Sequence, residues 1–407
     1  MNKKDLRWLI AGNAVSAFGN AVYLIAILLL LKQFSDSALT LGLFQFLALF
    51  PGFLLSPVTG AMVDRISRRA IIVVTDLVRG VIMITAGGLL FLPRFQLPSL
   101  LLSVALLAGV GHALFVPAVH ALIPTLVPAE RLHAASGMRA ASSQVANLVG
   151  NAVGGALFVI LGAPVLFLIN GATFLLSGIQ ESFIREGGNS RSVEPNKAPS
   201  LSLLSEARAG LKLLGEQVML RRAIISQAGL FAISSVLTLA MPFIVIDELG
   251  YSESFVGVLF AVALAGGILA FVVQRRWSPA RMVEQPLLFY AYVAVAVGFL
   301  LLLISIELPA LMVVAFLSGM AAATIYLFAV TWIQIQTPAN FHGRLFAVLE
   351  AASSFVAPTS YLAAGALLDA LGGSQRWWLF LGMGVLSTLW ASVLWLHSRA
   401  THSPNQT

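Results

Sequence analysis

Cysteine is absent from the 407 residues, which excludes disulfides, thiol chemistry and thiolate metal sites together. Charge is scarce as well. Asp, Glu, Lys and Arg make up 10% of the chain against 59% hydrophobic residues, and the mean hydropathy of +0.93 is beyond what a soluble domain of this size carries without aggregating. The solvent is therefore expected to be lipid. Six histidines are scattered rather than paired at ligand spacing, so neither a metal nor a cofactor is expected. A phosphate loop of the G-x-x-x-x-G-K-[ST] kind is missing, and no Ser-His-Asp arrangement stands in a water-exposed domain. Enzymatic chemistry and ATP hydrolysis are not expected, and any work must draw on an ion or solute gradient.

What is present is twelve apolar stretches, each long enough in helical form to cross a bilayer core of about 30 Å. Six run from Trp8 to Leu31, Leu39 to Met62, Ala70 to Leu92, Pro98 to Leu126, Ala135 to Leu161 and Pro164 to Ile184. Six more run from Ala223 to Ile246, Ser254 to Val273, Met282 to Ile306, Pro309 to Gln334, Leu345 to Leu371 and Arg376 to His397. The first follows Lys3, Lys4 and Arg7 like a secretory signal, but it is too long for one and lacks a clean cleavage site, so it is read as a retained span. With both termini on one side, that side carries 19 Lys and Arg and the other three, Lys32, Arg94 and Arg376, while Arg79 and Arg139 lie inside spans. The positive-inside rule then predicts cytoplasmic termini. Topology accounts for the net charge of +7, and nucleic-acid binding is an unnecessary reading.

Between the sixth and seventh spans the apolar pattern stops. Residues 185–219 form a polar linker marked by Gly187, Gly188, Pro195 and Pro199. It divides a first bundle, residues 1–184, from a second, residues 220–407. Within the linker, Leu203, Leu204, Ala207, Leu211 and Leu214 at helical spacing predict a short surface helix. A shift of 210 residues lays Val127–Gly162 over Thr337–Gly372 without a gap, with nine of 36 positions identical, among them Pro128 with Pro338, Gly155 with Gly365 and Gly162 with Gly372. The fifth and eleventh spans are thus equivalent. Parallel repeats of this kind suit two bundles rocking about a site near the midplane.

After the second span the chain reads Gly60, Ala61, Met62, Val63, Asp64, Arg65, Ile66, Ser67, Arg68, Arg69. This resembles the G-x-x-x-D-[RK]-x-x-R-[RK] signature between the second and third helices of the major facilitator superfamily. Asp76 to Arg79, Pro117 to Pro124, and Thr337-Pro338 followed by Gly343-Arg344 resemble its macrolide-efflux and enterobactin-exporter branch. The resemblance spans essentially the whole chain and implies an all-α membrane fold of two pseudo-symmetric six-helix bundles. Two positions depart from the branch. Gly19-Asn20 replaces Gly-Asp, and Asn cannot carry the proton that a carboxylate there would; Gly150-Asn151 with Gly154-Gly155 lacks the proline of the G-P-x-x-G-G antiporter pattern.

The resemblance implies gating by Gly60, Asp64, Arg65, Arg68 and Arg69, with Asp64 meeting the N-terminus of the eleventh helix near Gly343 and Arg344. Free N–H groups there favour an anion; the bland alternative is an ordinary basic loop. Asp76 and Arg79, three apart on one helix face, are expected to pair, with Arg139 as a further partner, either as a static ion pair or as a switch. Glu350, the only acidic residue well inside a second-half span and read as about four residues into it, is either proton-exchanging near neutral pH or paired across a gate. Polar stripes at helical spacing complete the candidates: Asn13, Ser16 and Asn20; Gln144, Asn147 and Asn151; Gln227, Ser234 and Thr238; Thr324, Thr331 and Gln334; and Ser354 with Tyr361. In lipid such groups often glue helices together, but the resemblance places the first, fourth, seventh and tenth helices around a cavity. That lifts Asn20, His112, Gln227 and Thr331. His112 and His120 titrate near neutral pH when free, or serve as packing groups.

The expectation is a monomeric transporter of the bacterial inner membrane that exports amphipathic or lipophilic small molecules such as antibiotics, with protons as the counter-ion. Scarce buried charge disfavours sugars and highly charged metabolites, and the export direction comes from the resemblance. Siderophore or lysophospholipid cargo is the alternative on the same machine, and a non-transporting sensor the alternative of another class. A linker this short and polar would hold no signalling domain.

Overall fold

A computed structural model describes residues 3–128, 131–184, 218–274, 276, 286–304, 307–336, 339–371 and 376–401, with the backbone path alone for some positions, among them Gly60, Asp64, Gln334 and residues 339–351. The expected surface helix over 201–214 lies outside the described residues, as do the side chains of Asp64, Gly343, Arg344 and Glu350.

Every regular element among the described residues is helical. In chain order these are α1 (Lys3–Phe34), α2 (Ala38–Leu54), α3 (Ser56–Arg65), α4 (Arg68–Leu90), α5 (Pro98–Leu126), α6 (Leu132–Ser182), α7 (Val218–Phe243), α8 (Ser254–Gln274), α9 (Leu287–Ile304), α10 (Leu308–Gln336), α11 (Ala339–Leu371) and α12 (Arg376–Thr401). Nine helices among the described residues are long and apolar enough to cross a membrane. One of them, α6, crosses twice, and two shorter apolar helices, Ala38–Leu54 and Phe380–Leu396, bring the crossings to twelve.

Local chemistry sets the boundaries. Ser37 and Ser67 cap α2 and α4, their hydroxyls accepting from the amides of Thr40 at 3.3 Å and Ala70 at 3.2 Å. The second span, expected unbroken, is divided at Leu55 into α2 and α3. The physical reason is Pro57, which has no N–H to continue the ladder and stands instead in the first turn of α3. At 1.5 Å per residue an unbroken α6 would reach about 76 Å, far more than one bilayer. Gly162, at φ 75° and ψ 161°, folds it into two antiparallel arms, because only glycine takes that backbone conformation without strain. The eleventh span begins at Ala339 rather than Leu345, directly after Pro338, so Glu350 lies three turns inside it rather than four residues.

The start of α1 and the end of α6, where Leu9 packs with Ile184, mark one face, called here the terminal face. The far face carries the end of α1, the Gly162 bend and the start of α8, which meet around Gln33, Phe34, Gly162 and Glu253. One apolar core runs through both halves towards the far face, from Val22, Leu28, Phe44 and Phe167 to Leu239, Val256 and Phe299. At the terminal face, Leu9, Ile72, Phe115, Leu122 and Ile184 form a separate core drawn from the first half alone among the described residues. Among the described residues, the shared core joins the halves towards the far face.

Candidate transport pathway

Four glycines make the joint at the far face. A Cβ on Gly155 of α6 would stand 2.7 Å from the carbonyl oxygen of Ser254 at the start of α8, and one on Gly257 of α8 would stand 2.7 Å from that of Asn151. Across the molecule the same pattern recurs: Gly365 of α11 would meet the Ala38 carbonyl at 2.6 Å, and Gly42 of α2 the Tyr361 carbonyl at 2.5 Å. Asn151 with Tyr361 and Gly155 with Gly365 are pairs of the 210-residue repeat, so the duplication seen in the sequence is a twofold pattern of backbone contacts in space. Tight backbone approach of this kind needs residues without side chains.

Charge fastens the same face. Lys32 at the end of α1 reaches Asp247 beyond α7 at 2.8 Å and its own neighbour Asp36 at 3.3 Å, and lies 5.0 Å from the Phe243 ring centre. Asp369 near the end of α11 accepts from the amides of Ala38 at 2.6 Å and Leu39 at 3.1 Å, and from the Ser37 hydroxyl at 2.5 Å. A carboxylate on a helix N-terminus is the kind of latch expected of Asp64 on α11; the structure puts one on α2, at the opposite face and from a different residue. Asp369 carried no sequence signal beyond its place near a span end.

On the terminal side of this seal a cavity of about 580 Å³ opens between the halves. Gln144, Ser143 and Asn151 of the first arm of α6 form one wall; Phe260, Phe271 and Tyr326 of α8 and α10 form the other. An adjoining recess of about 130 Å³ shares Phe260, Ala263, Gly319 and Ala322 and reaches Ser234 and Thr238 of α7. None of the described lining residues is charged. The Ser143 hydroxyl and the Asn151 amide oxygen are buried with no protein partner. That volume, a greasy lining and a few free neutral polar groups suit a drug-sized ligand with few charges.

The remaining expected cavity residues divide. Asn147 lies 3.5 Å from Gln144, behind the wall. Asn13 and Ser16 are buried in the first half and do not line the cavity. Gln227 sits in a shallow groove against Ala352, Ser353 and Val356. Thr324 accepts from Gln274 at 2.7 Å and so ties α10 to α8. The Tyr361 hydroxyl is shared between Thr238 and Gln45, spanning the seam between halves. Asn20 and Thr331 are half-buried and outside both spaces. His112 is exposed on the face of α5 roughly opposite exposed Leu106 and Leu107, so it looks inward rather than to lipid.

Asp76 and Arg79 pair at 3.4 Å in the interior of the first half, and the guanidinium lies 3.9 Å from the Phe174 ring centre. Arg139 is not their partner. It donates to the Asn13 side-chain oxygen at 3.3 Å and stands 3.2 Å from His120 Nε2, because it projects from the other arm of α6. Of the basic loop, Arg65 is exposed and Arg69 donates to the carbonyl of Ser182. Among the buried charges that escaped the sequence reading is Glu181, fully enclosed on the second arm of α6 with neither carboxylate oxygen hydrogen-bonded. Its only signal was an acidic residue inside a span, three places from the end.

Two pseudo-symmetric six-crossing halves around a central cavity are the architecture of a multi-pass membrane transporter. Residues 9–306 match the Major Facilitator Superfamily, and the chain belongs to that family, which makes it a transporter rather than an enzyme. Macrolide efflux protein A of Streptococcus pyogenes is 27% identical over 237 residues, 57% of this chain and 54% of that protein. The multidrug efflux pump Tap of Mycolicibacterium fortuitum is 24% identical over 377 residues, 87% of each chain. In fold, the chain is similar to a bacterial homologue of the human lysosomal transporter Spinster, solved inward-facing and unoccupied, with a TM-score of 0.72, 16% identity and 98% of both chains covered.

Proposed function

We propose that the protein exports amphipathic or lipophilic small molecules across the bacterial inner membrane by alternating access, exchanging them for protons. The observation that carries this reading is the largely apolar cavity between the halves, uncharged among its described lining residues and fastened at the far face. The positive-inside count supports a cytoplasmic terminal face, and on this reading the conformation is inward-facing and ready to load. The efflux relatives support the outward direction. Lys32, Asp247, Asp369 and the four glycines form the outer gate, while Asp64, Arg65, Arg68 and Arg69 with Gly343 and Arg344 close the inner one in the alternate state. Asp76, Arg79 and Glu350 lie on the proton side of the exchange.

The test is purified protein in proteoliposomes under an imposed pH gradient, offered hydrophobic antibiotics, siderophores and lysolipids in turn. Gradient-dependent accumulation of a hydrophobic antibiotic is expected. Movement of siderophore or lysolipid alone would give the machine another cargo, and transport indifferent to the pH gradient would remove protons from it.

A further inference from the structure

We propose that Glu181 is the proton-binding site of this transporter, holding one exchangeable proton for the buried group Asp76, Arg79 and Glu181. This rests on the antiport reading above and names the residue that serves it.

Three charged side chains are enclosed together: Asp76 and Glu181 are 0% exposed and Arg79 is 5% exposed. Two carboxylates face one guanidinium. Arg79 is already taken by Asp76 at 3.4 Å and by the Phe174 face, so Glu181 is the surplus anion. An unpaired carboxylate enclosed in an apolar bundle is strongly disfavoured, and a bound proton removes that penalty. Asp5 is buried at the start of α1, and the Arg69 guanidinium at the start of α4 is on the Ser182 carbonyl; Tyr23 of α1 is the further titratable group facing Arg79.

The pocket around Glu181 is built to receive a proton rather than a fixed cation side chain. Its oxygen Oε1, the Ser177 hydroxyl and the Gln180 oxygen converge on Gly12 of α1, where a Cβ would stand 3.4, 3.0 and 3.5 Å from them. All of these oxygens are buried and without a hydrogen-bond partner. A protonated Glu181 can donate its O–H to the Ser177 or Gln180 oxygen beside it. Trp8 against Phe183, with ring centres 5.8 Å apart, covers the pocket towards the terminal face. On the neighbouring position of α1, Asn13 accepts from Arg139 of the first arm, and Arg139 reaches exposed His120.

Infrared difference spectroscopy of the purified full chain, titrated over pH, tests the site directly. Wild type is expected to show a protonated-carboxyl band that disappears as pH rises. Glu181→Gln should lack it, whereas surface Glu307→Gln should keep it, and Gly12→Ala should keep it at a shifted frequency. Persistence of the band in Glu181→Gln, its loss in Asp76→Asn alone, or its removal by sodium at constant pH would each overturn the assignment. In proteoliposomes carrying radiolabelled erythromycin or the dye Hoechst 33342, Glu181→Gln should lose pH-driven accumulation by about tenfold or more while keeping gradient-free exchange. Undiminished pH-driven accumulation in the variant overturns the proposal and leaves antiport standing. Wild type that is blind to pH but keeps a Glu181-dependent band would instead defeat antiport and leave the proton site standing.

Discussion

Asp369 shows how a single side chain can decide which face is closed. Its carboxylate satisfies two backbone amides and the Ser37 hydroxyl at the start of α2, groups that an uncapped helix leaves to water. Asp369→Ala is expected to cost the sealed state about 1 kcal/mol, the usual worth of an N-terminal cap. Hydrogen exchange at the amides of Ala38 and Leu39 should then quicken about fivefold; unchanged protection would show that the seal does not depend on it. Neither Asp369 nor Glu181 could be weighed from sequence, because a carboxylate near a span end reads as interfacial. Only the packing of α1 and α4 over α6 encloses Glu181, and only the meeting of two halves gives Asp369 its helix. Asp76 and Arg79 were legible for the opposite reason: both sit mid-span, three residues apart, where lipid leaves them no partner but each other.

Helices and their junctions were more legible than side-chain roles. Hydropathy alone marks the crossings, since lipid forces every backbone polar group into a helix, and the repeat offset anticipated that α6 and α11 would be equivalent. Less visible was that this equivalence is spent on backbone contact: Gly155 on α8 and Gly365 on α2. Gly365→Val is expected to press a branched side chain on the Ala38 carbonyl, where even a Cβ would sit at 2.6 Å, and to cost the sealed state about 1–3 kcal/mol. Erythromycin counterflow should fall at least about tenfold, and Gly155→Val should do the same by symmetry, whereas Gly88→Val, with nothing within 4 Å, should be neutral. Equal effects at all three positions would contradict a paired seal. The break between α2 and α3 was available in Pro57, but the apolar run on either side masked it.

At the scale of the whole molecule, the halves share a core at the far face, and the proposed alternating-access cycle requires this joint to open. Because the chain has no cysteine, spin labels on cysteines placed at exposed Arg94 and Tyr251 report uniquely on the far face. Double electron–electron resonance should give one short distance in wild type and a second, longer one when Lys32→Ala is added, since Lys32 is the cation bound to Asp247 across the halves. An unchanged distance distribution would show that the ion pair does not hold the face shut.

Gly162 gives this motion its geometry. A hairpin whose arms meet through one residue cannot part at the bend, so relative movement of the arms is that of tweezers, least at the hinge and greatest at the tips. The tips of α6 are the cavity wall around Gln144 on one side and Glu181 on the other. Between the blades runs α1, gripped by Gly150 and Gly154 from the first arm and by Thr173 and Ser177 from the second. Squeezing or releasing that rod changes the space at Gly12 and the width of the cavity in one stroke.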